Sequence, residues 1–156
     1  MAPELMSYEG KSIVIDPDVF ATYSDIWDLF SMNMGNYAAL MRQHNNKLDW
    51  GTSVMLLKNN KFKHWKIKEI VNDLLFQKVD YRHWMGLRNE KEKIGLLPNE
   101  WNSYDELNKN TKLLHNTLRI TQPWRVGLDV EFEPKKMKPL FGFIPREWAH
   151  TLLGRN

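Results

Sequence analysis

The sequence predicts an α/β fold. Three observations predict it. Short apolar runs of strand type alternate along the chain with segments of helical periodicity. The length of 156 residues suits one domain with a proper core. The composition, 42% hydrophobic and 26% charged, is that of a globular chain rather than a disordered one.

The elements follow in order. "APELMSYEGK" reads as a short helical fragment closed by a turn at Gly10. "SIVI", Ser12 to Ile15, is an unbroken apolar run of the kind found in buried parallel sheets. Ser24 is placed to cap a short helix, "DIWDLF", with Asp25 in its first turn. "NYAALMRQ" and "TSVMLLK" (Thr52 to Lys58) read as strands. In "HWKIKEIVNDLLFQK", Ile67, Ile70, Val71, Leu74 and Leu75 recur at helical spacing, which predicts an amphipathic helix. "DYRHWMGL" is a short helix, and "KIGLL" a strand stopped by Pro98. "WNSYDELN" is a loop with a turn of helix, and "TKLLH" a short strand ending at His115. Periodicity fades after "TQPW". Residues 131–156 read as a basic tail with a helix from Pro145, following a main domain of residues 1–130. Lys135, Lys136, Lys138, Arg146 and Arg155 make that tail a solvated charged end, a guide for an anionic ligand, or a membrane rest.

Composition excludes several classes. With no cysteine, disulfides and Cys-ligated zinc are ruled out. The longest apolar runs are about five residues, far short of a spanning helix, and nothing reads as a signal peptide, so a cytoplasmic protein is expected. A net charge of +3 suits a small polyanionic ligand as well as nucleic acid. The basic residues are scattered rather than striped, so no nucleic-acid partner is expected. Seven Trp and five Tyr suggest core and pocket walls.

The chemistry concentrates where "SIVI" meets "DPDVF". Asp16 and Asp18 follow a buried strand, where open α/β sheets place ligands. In extended chain, residues two apart face one way, and two carboxylates there suit a hard divalent cation. Pro17 stiffens the stretch. The nine Asp would give about half an Asp-x-Asp by chance, so a solvated turn stays an equal reading. Among the five His, His115 ends an apolar run and precedes a polar loop. An imidazole there suits Mn²⁺, although a structural histidine explains it as well.

Four blocks together resemble a known family. "GKSIVIDPDVFATYSDIWDLF" resembles the Asp-x-Asp segment of GT-A glycosyltransferases of the glycogenin and galactosyltransferase type. "DWGTSVMLLKNNKFKHW" resembles that family's Asn-Ser-Gly-Val-Met strand, and "LLPNEWN" its Leu-Pro-x-x-Trp-Asn. "TKLLHNTLRITQPW" is similar to its closing His-x-x-Gly-x-x-Lys-Pro-Trp. The blocks keep their order across residues 10–124. The resemblance implies a partial GT-A, Rossmann-like mixed sheet with flanking helices. It implies a metal site of Asp16, Asp18 and His115, binding Mn²⁺ or Mg²⁺ against the diphosphate of a UDP-sugar. It implies transfer of that sugar, with retention of configuration, to a glycan or other acceptor.

Departures qualify the resemblance. The family's phosphate-contacting Lys is Gln122 here, and Lys112, Arg119 or Arg125 is the candidate replacement. Gly51 and Thr52 either approach the donor sugar or merely start a strand. Asp80 is the nearest match to the family's Gln-Asp pair, and equally an N-terminal helix residue. The family's first nucleotide-binding βαβ portion has no counterpart, so the chain resembles the C-terminal half of such a domain. Its Ser12–Ile15 strand would then have a bare side, open to a second copy or a partner chain. Two alternatives are a non-catalytic fragment that needs such a partner and a phosphatase of the haloacid dehalogenase type, with Asp16 as nucleophile. Phe20 stands where the phosphatases want Thr or Val.

Overall fold

The computed structural model of the chain describes residues 2–45 and 47–118, which belong to one compact unit. The expected boundary at residue 130, the tail helix from Pro145, and Arg119, Gln122 and Arg125 lie outside the described residues.

A mixed four-stranded sheet carries the fold. Its strands are β1 (Lys11–Ile15), β3 (Ala39–Gln43), β4 (Trp50–Lys58) and β5 (Ile94–Leu96), in the spatial order β1-β4-β3-β5. β4 pairs antiparallel with β1 and β3, while β3 pairs parallel with β5. A second sheet places β7 (Leu113–His115) between β2 (Val19–Ala21) and β6 (Ser103–Tyr104). The helices are α1 (Ala2–Leu5), α2 (Ile26–Phe30), α3 (Ile67–Leu75) and α4 (Tyr81–Met85). The α/β expectation and the mixed sheet therefore hold.

Both faces of the larger sheet are covered. Leu40, Val54 and Leu56 face one core with Leu29, Trp101 and Leu113, and Ile13 packs against it. Ala39, Met41 and Leu57 face the other with Phe62 and Trp65, and Val14 packs there. This explains the unbroken apolar run in β1. Two-sided burial produces such a run in any sheet. The parallel pairing it suggested is not what forms, because β1 pairs antiparallel with β4.

Local chemistry explains other differences. Asp25, not Ser24, caps α2, with its carboxylate accepting the Trp27 amide at 2.8 Å. The Ser24 hydroxyl instead donates to the Lys112 carbonyl at 2.9 Å, fastening α2 to the chain ahead of β7. Asp80 caps α4, accepting the His83 amide at 2.9 Å, which is the helix N-terminal reading. β6 lies where the sequence suggested loop and β2 where it predicted no element, and both exist because β7 supplies their hydrogen-bond partners.

Candidate functional site

β1 ends at Asp16, whose amide still donates to the Ser53 carbonyl of β4 at 2.9 Å. The Val19 amide then donates to the Asp16 carbonyl at 3.1 Å, closing a turn with Pro17 at its second position. The stretch is a turn, so the extended-chain alternation expected for the two acids does not apply. Strand pairing aims Asp18 instead. Val19 is opposite His115, and the Asn116 amide donates to the Asp18 carbonyl at 3.0 Å. His115 Nε2 comes to 3.5 Å from Asp18 Oδ1.

The corner is electrostatically tense. Burial pushes the Asp16 carboxyl above its ordinary value, the Asp18 charge adds to this, and His115 opposes it. His115 Nδ1 is buried with no hydrogen-bond partner. Asp18 and His115 thus meet at the corner where β1 ends, and Asp16 lies near enough to feel both charges. As placed, no group of three or more His, Asp or Glu among the described residues closes into a metal shell.

The remaining candidates are placed as follows. Lys112 precedes β7 at the end opposite His115, roughly 10 Å along the strand, with its ammonium 4.6 Å from the Trp101 ring centre. Gly51 is buried in β4, and a Cβ there would strike the Tyr104 hydroxyl and come within 3.2 Å of the Arg42 carbonyl. Close packing thus demands glycine at this position. Thr52 lines a cleft of about 580 Å³, together with His44, Trp50, Tyr81, Arg82 and Tyr104.

Tyr104 links this cleft to the acidic corner. Its ring meets His115 edge-on at 5.4 Å and stacks on His44 at 5.6 Å. The Arg42 guanidinium lies 3.9 Å from its centre, and Arg42 Nη1 donates to the Asn102 carbonyl at 2.5 Å. Burial raises the Tyr104 hydroxyl above its ordinary value, with Arg42 pulling the other way. Asp105 orders the loop beyond His115. Its amide donates to the His115 carbonyl at 3.0 Å, and its carboxylate accepts the Thr117 hydroxyl and the Leu118 amide. Burial raises that carboxyl, but these donors outweigh it and hold it below its ordinary value. Sequence reasoning missed Tyr104, Arg42 and Asp105. They converge through the parallel pairing of β6 with β7, which leaves no local periodicity.

In fold, the chain matches part of solved GT-A structures. It is similar to the glycosyltransferase GlyE of Streptococcus pneumoniae TIGR4, at 17% identity and a TM-score of 0.61 over 98% of this chain. The galactosyltransferase LgtC, in complex with donor and acceptor sugar analogs, matches at 11% identity and a TM-score of 0.56 over 96% of this chain. The chain spans 44% of the GlyE chain and 69% of the LgtC chain. No protein-family model matches the sequence, nor does any curated protein.

Proposed function

We propose that this chain is the metal-binding portion of a glycosyltransferase that moves a hexose from a UDP-sugar to a glycan or other acceptor. One observation carries the reading: Asp18 and His115 meet at 3.5 Å beside Asp16, at the end of β1, within a GT-A fold.

The donor chemistry of Asp16, Asp18 and His115 suits a divalent cation, which would have to draw the three together because as placed they do not close a shell. Adjacent ligands on an octahedral Mg²⁺-sized ion lie about 3 Å apart, close to the Asp18–His115 separation. Two carboxylate oxygens and an imidazole nitrogen suit Mn²⁺ well and Mg²⁺ adequately. A cation would relieve the repulsion between Asp16 and Asp18. It would also take up His115 Nε2, the nitrogen that faces Asp18. When bound, such an ion would supply Lewis-acid stabilisation of the diphosphate leaving group. The edge of Tyr104 holds the His115 ring, and Asp105 holds its loop. Trp50, Tyr81 and Tyr104 supply apolar cleft walls of the kind sugars stack on, with Thr52 and Asn45 as polar partners.

A second reading has its own support. β1 has a neighbour on one side only among the described residues, and the chain spans less than half of GlyE. Activity then requires a further segment or partner chain.

Thermal unfolding with and without Mn²⁺ tests the metal reading. Saturation at a hundred times Kd stabilises the folded state by about 2.7 kcal/mol. That shift should appear in the wild type and vanish in Asp18→Ala and His115→Ala. A shift retained in both variants would end the proposal.

A further inference from the structure

We infer that the outer face of α3 is a docking surface for an anionic membrane. α3 is amphipathic in sequence, yet none of its nine residues is buried. Ile70 leans on the core beside Phe62 and Trp65. Ile67, Val71 and Leu75, four residues apart, form an outer stripe that stays exposed. Leu75 and the following Phe76 are 71% and 72% exposed. On α1, Leu5 is also exposed, at 84%. The neighbouring Glu4 carboxylate accepts the Ile67 amide at 2.8 Å, which ties the two helices together.

Charge identifies the occupant. Residues 58–78 hold six lysines against Glu69 and Asp73, a net +4 that exceeds the +3 of the whole chain. Lys61, Lys63 and Lys68 are exposed and form no ion pair among the described residues. Lys68 sits beside Ile67 and Val71 along a shallow groove of about 320 Å³. A second copy would bring these like charges face to face, which opposes self-association through this surface. Anionic headgroups instead meet the lysines while the apolar stripe enters the interface, as a surface-lying amphipathic helix does. Among the described residues no helix is long and apolar enough to cross a membrane, so this contact is peripheral.

Flotation of the full chain with vesicles tests the assignment. Vesicles of phosphatidylcholine with about 30% anionic phosphatidylglycerol, which carry the negative surface potential that attracts basic segments, should carry the protein up, and pure phosphatidylcholine should not. Replacing Lys61, Lys63 and Lys68 by Glu should cut partitioning by about a hundredfold or more. Leu75→Glu with Phe76→Glu should cut it at least about tenfold. All five positions are exposed, and unchanged far-ultraviolet dichroism shows that the variants fold. Absence of flotation, or flotation that survives both sets of substitutions, would overturn the inference. So would a wild-type dimer in sedimentation that Leu75→Glu with Phe76→Glu converts to monomer, because the stripe would then be a protein interface.

Discussion

Burial and the neighbouring charge of Asp18 raise the Asp16 carboxyl above its ordinary value of 3.8, against a smaller opposite pull from His115. A carboxyl whose folded value lies above its unfolded one contributes stability that is full below the unfolded value. That contribution is lost as pH rises through the folded value. At neutral pH the ionised Asp16 is therefore a cost carried by the metal-free fold, of the kind that accumulates at functional sites. Asp16→Asn removes the cost. In EDTA at pH 7 it should raise the melting temperature, by on the order of 2 °C. The gain should shrink as the pH approaches 3.8 and should be replaced by loss of the Mn²⁺-induced shift. Melting curves from pH 3.5 to 7 would read this, and a variant that melts lower than wild type in EDTA would contradict it.

Elements were legible where they carried their own pattern. β4 is apolar on both faces, α3 repeats at helical spacing, and both stand where the sequence placed them. Asp16, Asp18 and His115 could be picked out because a strand end and a family-like block mark each of them. Tyr104 and Arg42 could not, since only the meeting of β6, β7 and β3 gives them a role. Glu90 shows the same limit in the connection ahead of β5. Its nearly buried carboxylate accepts Trp65 Nε1 at 2.7 Å and the amides of Lys91 and Glu92 at 2.8 and 2.9 Å, and meets His64 Nε2 at 3.1 Å. Burial raises this group, but the Glu92 amide, His64 and Trp65 together hold it below its ordinary value of 4.5. Its stability contribution is therefore present above 4.5 and lost as pH falls through the lower folded value. Glu90→Gln should cost about 1 kcal/mol at pH 7 and almost nothing near pH 3. Urea unfolding at the two pH values measures the difference, and an equal loss at both would remove the charge from the explanation.

At the scale of the molecule, the ladder between β1 and β4 shows which amides face outward. The Asn59 amide donates to the Gly10 carbonyl at 3.0 Å and the Asp16 amide to the Ser53 carbonyl at 2.9 Å. Gly10 and Asp16 thus belong to the closely bonded pairs of an antiparallel ladder. The register places Ser12 and Val14 in the same set. The amides of Ile13 and Ile15 then point away from β4, toward an edge that no strand covers among the described residues. An open edge next to the acidic corner invites another strand, from a second copy, a partner chain or a further segment. In dilute solution of this chain alone, hydrogen exchange at Ile13 and Ile15 should outrun exchange at Val14 by at least about a hundredfold. A strand docked on the edge should bring both amides to the protection of Val14, and any binding of Mn²⁺ at Asp16 should tighten in parallel, because the turn that holds the acid begins where that edge ends. Equal protection of Ile13, Val14 and Ile15 in the dilute monomer would mean that the edge is already covered, and the requirement for a completing strand would fall.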